Sequence, residues 1–473
     1  MTTIDQGRAA LAPTSPGMSG SARAWAGFQG GRDPYITLIS IYIFMPYVAT
    51  VIIGDAVKGQ AMVAGFALLG GLIAALTSPF LGAAADRMGR RKPALAVLSV
   101  MFAPLVFALW WAKPDHSGLS VSTILVLTLL ISLLFTYGEV LHNSLITYAA
   151  RNARDASTMS GTALAWGNVT SVVALVFVLW AFALPGKVHW SFVPAAPLFG
   201  LDPAMAEPSR IAAPIAAILF AIGVVPLLLF TQDAPRRAGH VGAALLGGAR
   251  DLLALIRSVR HHRDAAIFLG SRMLFSDAQI ALIIFCGIYA AGVMHWGVLE
   301  MTAFGILMSA CAALGGLLSS VFDRRLGPKR ALQVEIIGTI VGIVALLGVS
   351  PTGMRFIFTV AADAAPLWNG PVFTKTPELV FLAIGAIVAV FNTAIFASSR
   401  TLLTRLIPPG QSGAFFGLFA LSGTATVWLG PLAVQTAVST FHSQQAGNVA
   451  IAILMALGFI PLSLVRDPAQ PRA

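Results

Sequence analysis

Glu139, His142 and Asn143 have the residue types and the spacing for proton chemistry, and they fall inside one apolar stretch. Residues at i, i+3 and i+4 share a helical face. A carboxylate beside an imidazole can take up and release a proton near neutral pH, and the same cluster can also tie helices together. Arg272 and Asp277 form a second set. Five residues apart on a helix, they point about 140° away from each other, so each needs a partner on another helix, and a salt bridge across an interface would act as a gate. Arg400 ends a further apolar stretch, where a guanidinium holds an anion bidentately or anchors the helix end. Trp166, Asn168 and Asn392 sit mid-stretch, where they can line a cavity. Ionisable groups at such positions are costly in lipid and are functional candidates for that reason.

The elements that must carry these residues are membrane helices. Of the 473 residues 57% are hydrophobic and only 10% are charged, far below the roughly 25% charge of a soluble domain. Mean hydropathy is +0.83. An ordinary water-facing enzyme is excluded. Apolar runs of spanning length occur at 34–56, 59–82, 94–113, 120–149, 157–183 and 209–231, then at 265–290, 297–321, 331–349, 377–398, 411–435 and 447–465. This predicts an all-α integral membrane protein of twelve transmembrane helices in two pseudo-symmetric six-helix halves, 34–231 and 265–465. Residues 1–33, rich in Ala, Gly, Ser and Pro, read as a disordered cytoplasmic tail, and 466–473 form a second tail. The Arg-rich linker 232–264 carries Leu245, Leu252, Leu255, Ile256 and Val259 at helical spacing, the pattern of an interfacial helix or of a solvated linker helix.

The formal net charge of +11 raises nucleic acid as a partner, but the distribution argues otherwise. Most of the 30 Lys and Arg fall in the loops and tails of one side, which places both termini in the cytoplasm. Only Arg272 then lies within a span. Cys286 and Cys311 fall in apolar runs and read as packing thiols. No metalloprotease, nucleophile-elbow or Walker A pattern and no metal-ligand spacing occurs, so the sequence implies neither an enzyme nor a cofactor, and active transport would draw on an ion gradient.

Between the second and third spans stands Gly82-x-x-x-Asp86-Arg87-x-Gly89-Arg90-Arg91-Lys92. Its glycines permit a tight turn, and its charges can hold a cluster whose breaking biases two states. A degenerate echo, Asp323-Arg324-Arg325-Leu326-Gly327-Pro328-Lys329-Arg330, stands at the matching place of the second half. The first motif resembles the cytoplasmic loop signature of the major facilitator superfamily, which implies that fold and a gating role for Gly82, Asp86, Arg87, Gly89, Arg90 and Arg91.

Further stretches narrow the resemblance. Trp25-Ala26-Gly27-Phe28, Tyr42 to Tyr47, His142 to Leu145, Ser160 to Asn168 and Leu274 to Asp277 are similar to the vacuole-effluxer branch, as are Ser399-Arg400, Leu406 to Gly410 and Leu429-Gly430-Pro431. That branch comprises autophagy-related amino-acid exporters and bacterial relatives. Gln29, Arg32, Phe396 and Thr424 stand where it usually has other polar residues, and these changes bear on substrate. The resemblance implies a secondary active transporter, a monomer in a bacterial inner membrane, that exports a small polar solute such as an amino acid or related metabolite, coupled to a proton or other ion gradient. Glu139, His142 and Asp277 would serve the coupling. Asn143, Trp166, Asn168, Arg272, Asn392 and Arg400 would serve binding. The alternative on the same scaffold is a transporter of amphiphilic compounds such as a drug, lipid or cell-wall fragment. A transport-inactive scaffold is the third reading.

Overall fold

In lipid, a spanning segment must satisfy its own backbone hydrogen bonds, so the apolar runs fold as helices. The computed structural model describes residues 18–151, 153–233, 235, 262–355, 357–361, 365–407 and 412–466. The predicted interfacial helix at 245–259 and most of both tails lie outside these residues. Eleven described helices are long and apolar enough to cross a membrane, and a twelfth crossing is made by two shorter helices. The first half runs α1 (Gly20–Ile52), α2 (Ala56–Met88), α3 (Lys92–Ala108), α4 (Val121–Ser144), α5 (Ala153–Val178) and α6 (Ala212–Phe230). The second runs α7 (Arg263–Met294), α8 (Val298–Leu326), α9 (Pro328–Leu347) and α10 (Thr376–Leu406). It ends with the pair α11 (Ser412–Thr424) and α12 (Leu429–Phe441), then α13 (Gln444–Leu464).

The first span departs from the sequence reading. It begins at Gly20, not at residue 34, so residues 20–33 of the expected tail are helix. Ser19 caps it by accepting from the Ala22 N–H at 3.1 Å. Its polar and small residues lie among helices and not in lipid: Gly31 faces Gly223 and the Leu219 carbonyl of α6 so closely that a Cβ would come within 2.6 Å of that oxygen. Hydropathy reads lipid contact and so misses a helix buried in protein. Around Pro46 the span is irregular, with π-helical segments at Ile36–Tyr42 and Val48–Ile52 and Ile43 at φ −119, as expected of a kinked helix.

The near-side turns repeat between halves. Gly89 (φ +84) precedes α3 and Gly327 (φ +78) precedes α9, each in a backbone conformation that suits glycine. Pro328 then fills the first turn of α9, where its missing N–H costs nothing. In the far-side loop after α9 a small antiparallel sheet forms, β1 (Val349–Ser350), β2 (Gly353–Met354) and β3 (Phe358–Thr359), an element that the all-α expectation left out.

The halves meet on the side away from the described chain ends. Gly287 of α7 abuts the Ile41 carbonyl of α1 with no room for a Cβ. A Cβ on Gly305 of α8 would lie 2.7 Å from the Tyr42 ring, and one on Gly447 of α13 would lie 2.7 Å from Gln60 Nε2. Gln444 Nε2 donates to the Ala56 carbonyl across the same seam at 3.2 Å. Every one of these contacts lies in the far half of its helix, so the far face is sealed.

Candidate functional site

The deepest charged cluster of the first half is built from α1 and α4. Arg32 stands 12 residues beyond Gly20, about 18 Å along the helix at 1.5 Å per residue. Its Nη1 lies 3.6 Å from Glu139 Oε1, and its Nη2 lies 3.2 Å from Asp33 Oδ1. Gln29, one turn earlier, donates from Nε2 to both Asp33 oxygens at 2.9 Å. Gly167 of α5 leaves the space that Asp33 Oδ2 fills, since a Cβ there would collide with it. The Phe135 ring lies 5.2 Å from the guanidinium carbon. Arg32 is buried while 43% of the Glu139 side chain is exposed, so the cluster has a rigid cationic centre and one accessible carboxylate. With two carboxylates to one guanidinium, it carries a formal charge of −1.

The sequence reading missed Arg32, Asp33 and Gln29 as a site, because they were assigned to a tail, and Arg272 is not the lone arginine of the spans. A polar i, i+4 pair immediately before Pro34 and the apolar run was the available signal. Glu335 was also missed. It is fully buried in α9, and Ser398 of α10 donates to its Oε1 at 2.8 Å.

The expected grouping of Glu139, His142 and Asn143 separates. His142 is fully buried and turns to α1, where its Nε2–H donates to the Trp25 carbonyl at 3.0 Å while Trp25 Nε1 donates back to the His142 carbonyl at 2.8 Å. The rings stack at 4.5 Å between centroids. A carbonyl only accepts, so Nε2 carries the hydrogen and the imidazole ties two helices together instead of serving Glu139. Asn143 is exposed at the near-side end of α4.

Arg272 and Asp277 do not pair, as their spacing implied, but their partners lie within the second half and not across an interface. Arg272 Nη1 donates to the Phe419 carbonyl and to Ser422 Oγ, both at 2.6 Å, and its guanidinium covers the Phe419 ring. Asp277 Oδ2 accepts the Gly430 N–H at 2.6 Å. One helix thus holds both sides of the break in the eleventh crossing.

Arg400 is exposed and has no hydrogen-bond or ion-pair partner among the described residues. On α10 it shares a row with Thr393 and Phe396, between the side that meets α7 through Asn392 and the side that meets α8 through Val390. Its charge also acts on Arg272. The Asn392 backbone carbonyl accepts from Gln279 Nε2 at 2.8 Å, while its side-chain Oδ1 is buried without a partner. Asn168 is exposed and donates to the Leu164 carbonyl at 2.9 Å. Trp166 lies over Gly30, on a row of α5 with exposed Val169 and Val173.

At the near-side loop, Arg90 is exposed and Arg91 is buried over the Tyr148 ring, with Nη1 donating to the Gly89 carbonyl at 3.1 Å. Asp233, following α6, accepts the N–H groups of Arg91 and Lys92 at 2.9 and 3.1 Å, the usual arrangement of an acid at a helix start. The side chains of Gly82, Asp86 and Arg87 lie outside the described residues. In the second half, Gly338 and Gly342 face Phe391 and Val388 of α10, small residues that let two helices pack closely.

Comparison with known proteins places this geometry in a family. Residues 50–468 match the family described as "Vacuole effluxer Atg22 like". An autophagy-related protein 22 from Yarrowia lipolytica (strain CLIB 122 / E 150) is 22% identical over 349 residues, covering 69% of this chain and 53% of the relative. The chain therefore spans about half the length of that curated relative. Among solved structures, the nucleoside transporter NupG superposes with a TM-score of 0.63 at 16% identity, covering 94% of this chain and 98% of that one. A D-xylose-proton symporter superposes at 0.62 and 12% identity, covering 96% and 99%. At such identities the likeness is one of fold, the all-α membrane fold of the major facilitator superfamily.

Proposed function

Because the chain belongs to the vacuole effluxer Atg22-like family, we propose that this integral membrane protein is a secondary active transporter. Its substrate is a small polar solute carrying both charges, an amino acid or related metabolite, exported by alternating access and coupled to protons. The observation that carries this reading is the pairing of an anionic face on one half with a free cation on the other. The Arg32–Asp33–Glu139 cluster, net negative and opening through Glu139, suits an ammonium group. Arg400, exposed and unpartnered among the described residues, suits a carboxylate. A site near mid-depth between two six-helix halves is the usual place for a transported solute.

The sealed far face fits a state open toward the termini. The loop charges support a cytoplasmic position for that side, with the bacterial inner membrane as the membrane it faces across. Protonation of Glu139 would release Arg32 and change the charge offered to the substrate, which is the coupling step. A thermal-shift screen of the purified protein tests the substrate class. Stabilisation by zwitterionic amino acids that is lost when either the amino or the carboxyl group is blocked supports the reading, and stabilisation by hydrophobic amphiphiles alone contradicts it.

A further inference from the structure

The eleventh crossing is broken between Thr424 and Leu429, and α7 holds both sides of the break. Arg272 meets the carbonyl end of α11, while Asp277 meets the amide end of α12. Each charge faces the helix end of opposite sign. The two ends are not held alike. The Arg272 guanidinium is engaged by a carbonyl, a hydroxyl and a ring. Asp277 is 2% exposed, with Oδ2 on Gly430 and Oδ1 buried without any partner. No cation offsets it: α11, α12 and α13 contain no ionisable side chain, and residues 36–52 of α1 carry only the phenols of Tyr42 and Tyr47. Across α10 the nearest charge is Arg400, on α8 Glu300 and Asp323 stand toward opposite ends, and on α2 Lys58 and the Asp86–Arg87 pair do the same. On α7 itself the one other charge within the span is Arg272.

The break also touches the opposite half. A Cβ on Gly71 of α2 would lie 2.9 Å from the Trp428 Cα, while within the second half Thr426 Oγ1 donates to the Met273 carbonyl of α7 at 2.9 Å. Nearly two helix turns further along the far-side seam, Gly65 meets Gln435 of α12. The position of α12 therefore bears directly on the closure of the far side.

We infer that Asp277 Oδ1 is a proton-binding site, and that its occupancy sets whether α12 stays latched to α7 or swings at the break. This rests on the transport reading above and adds a moving part to it. Ionised, Asp277 holds the amide end of α12 and the seam with α2 stays shut. A proton taken from water onto Oδ1 removes the charge that the helix end favours, and α12 then parts from α2. Both states use the same residues, so the proton shifts a population between them.

The test is a titration of tryptophan fluorescence in nanodiscs from pH 5 to pH 9, since Trp428 lies in the break. The component of the pH response absent from Trp428→Phe is assigned to the break. It is expected in the wild type, absent in Asp277→Asn, and present with a displaced midpoint in Asp277→Glu. If the asparagine variant is not monodisperse, Asp277→Ser supplies an uncharged helix cap in its place and is likewise expected to lack the component. An undiminished component in either neutral variant, or no such component in the wild type, overturns the latch. Substrate counterflow by the wild type, which needs no proton gradient, tests the transport reading separately.

Discussion

Arg32 Nη1 lies 3.6 Å from Glu139 Oε1, joining the first helix to the near-side third of the fourth. The distance is that of an ion pair and exceeds a direct hydrogen bond, so the pair can open without losing a shared proton. On one side of Arg32, Asp33 is fixed by Gln29. On the other, Glu139 is half exposed. That asymmetry makes Glu139 the accessible carboxylate of the cluster.

Replacing Arg32 should cost more than replacing its partner. Arg32→Met leaves two uncompensated carboxylates in the bundle, a change expected to destabilise by about 3 kcal/mol. Glu139→Gln leaves Arg32 with Asp33 and should cost about 1 kcal/mol. Melting temperatures in one detergent should rank wild type, then Glu139→Gln, then Arg32→Met. A reversed order would mean that Glu139 and not Arg32 anchors the cluster.

His142 should prove to be a positioning residue. His142→Leu loses one hydrogen bond and the stack on Trp25, together about 2 kcal/mol, and lowers the melting temperature. The midpoint of the pH–flux profile of the surviving protein should not move. A displaced midpoint would return His142 to the proton pathway that its spacing from Glu139 suggested.

Gly287 should control the far-side seam. A methyl group there meets the Ile41 carbonyl, and relief requires α7 and α1 to part. Gly287→Ala is expected to raise labelling of a cysteine at Gln60, which is fully buried at the same seam, by an impermeant thiol reagent, with Cys286 and Cys311 replaced by Ser. Unchanged labelling would show that the seam yields locally without opening.

Much of this organisation was legible in the chain, and what was not has physical causes. Span count, loop charge and the near-side glycines follow from hydropathy and turn geometry, and Gly89 and Gly327 take positive φ in matching places. The first helix was mislocated because Gln29, Gly31 and Arg32 are buried by protein and not by lipid, so apolar composition is not what holds them. The spacing of Glu139, His142 and Asn143 was read as one face, yet α1 engages two of them separately, His142 through Trp25 and Glu139 through Arg32, and Asn143 is left exposed. The broken crossing gave no periodic signal, because the turn at 425–428 interrupts an apolar run without changing its composition. Arg272 and Asp277 were visible as charges out of place, but Asp277 meets a backbone N–H and Arg272 a backbone carbonyl beside a hydroxyl and a ring, and no charge pattern reveals such partners.

The central claim is that charges from the two halves hold opposite ends of one zwitterionic substrate. Counterflow of a radiolabelled neutral amino acid in proteoliposomes, compared between wild type and Arg400→Gln, tests it most directly. Loss of one charge-assisted hydrogen bond of about 1.5–3 kcal/mol predicts a rise in KM of about ten- to a hundred-fold, with little change for a substrate whose carboxyl is amidated. Equal KM values for the free acid in both proteins would contradict the claim.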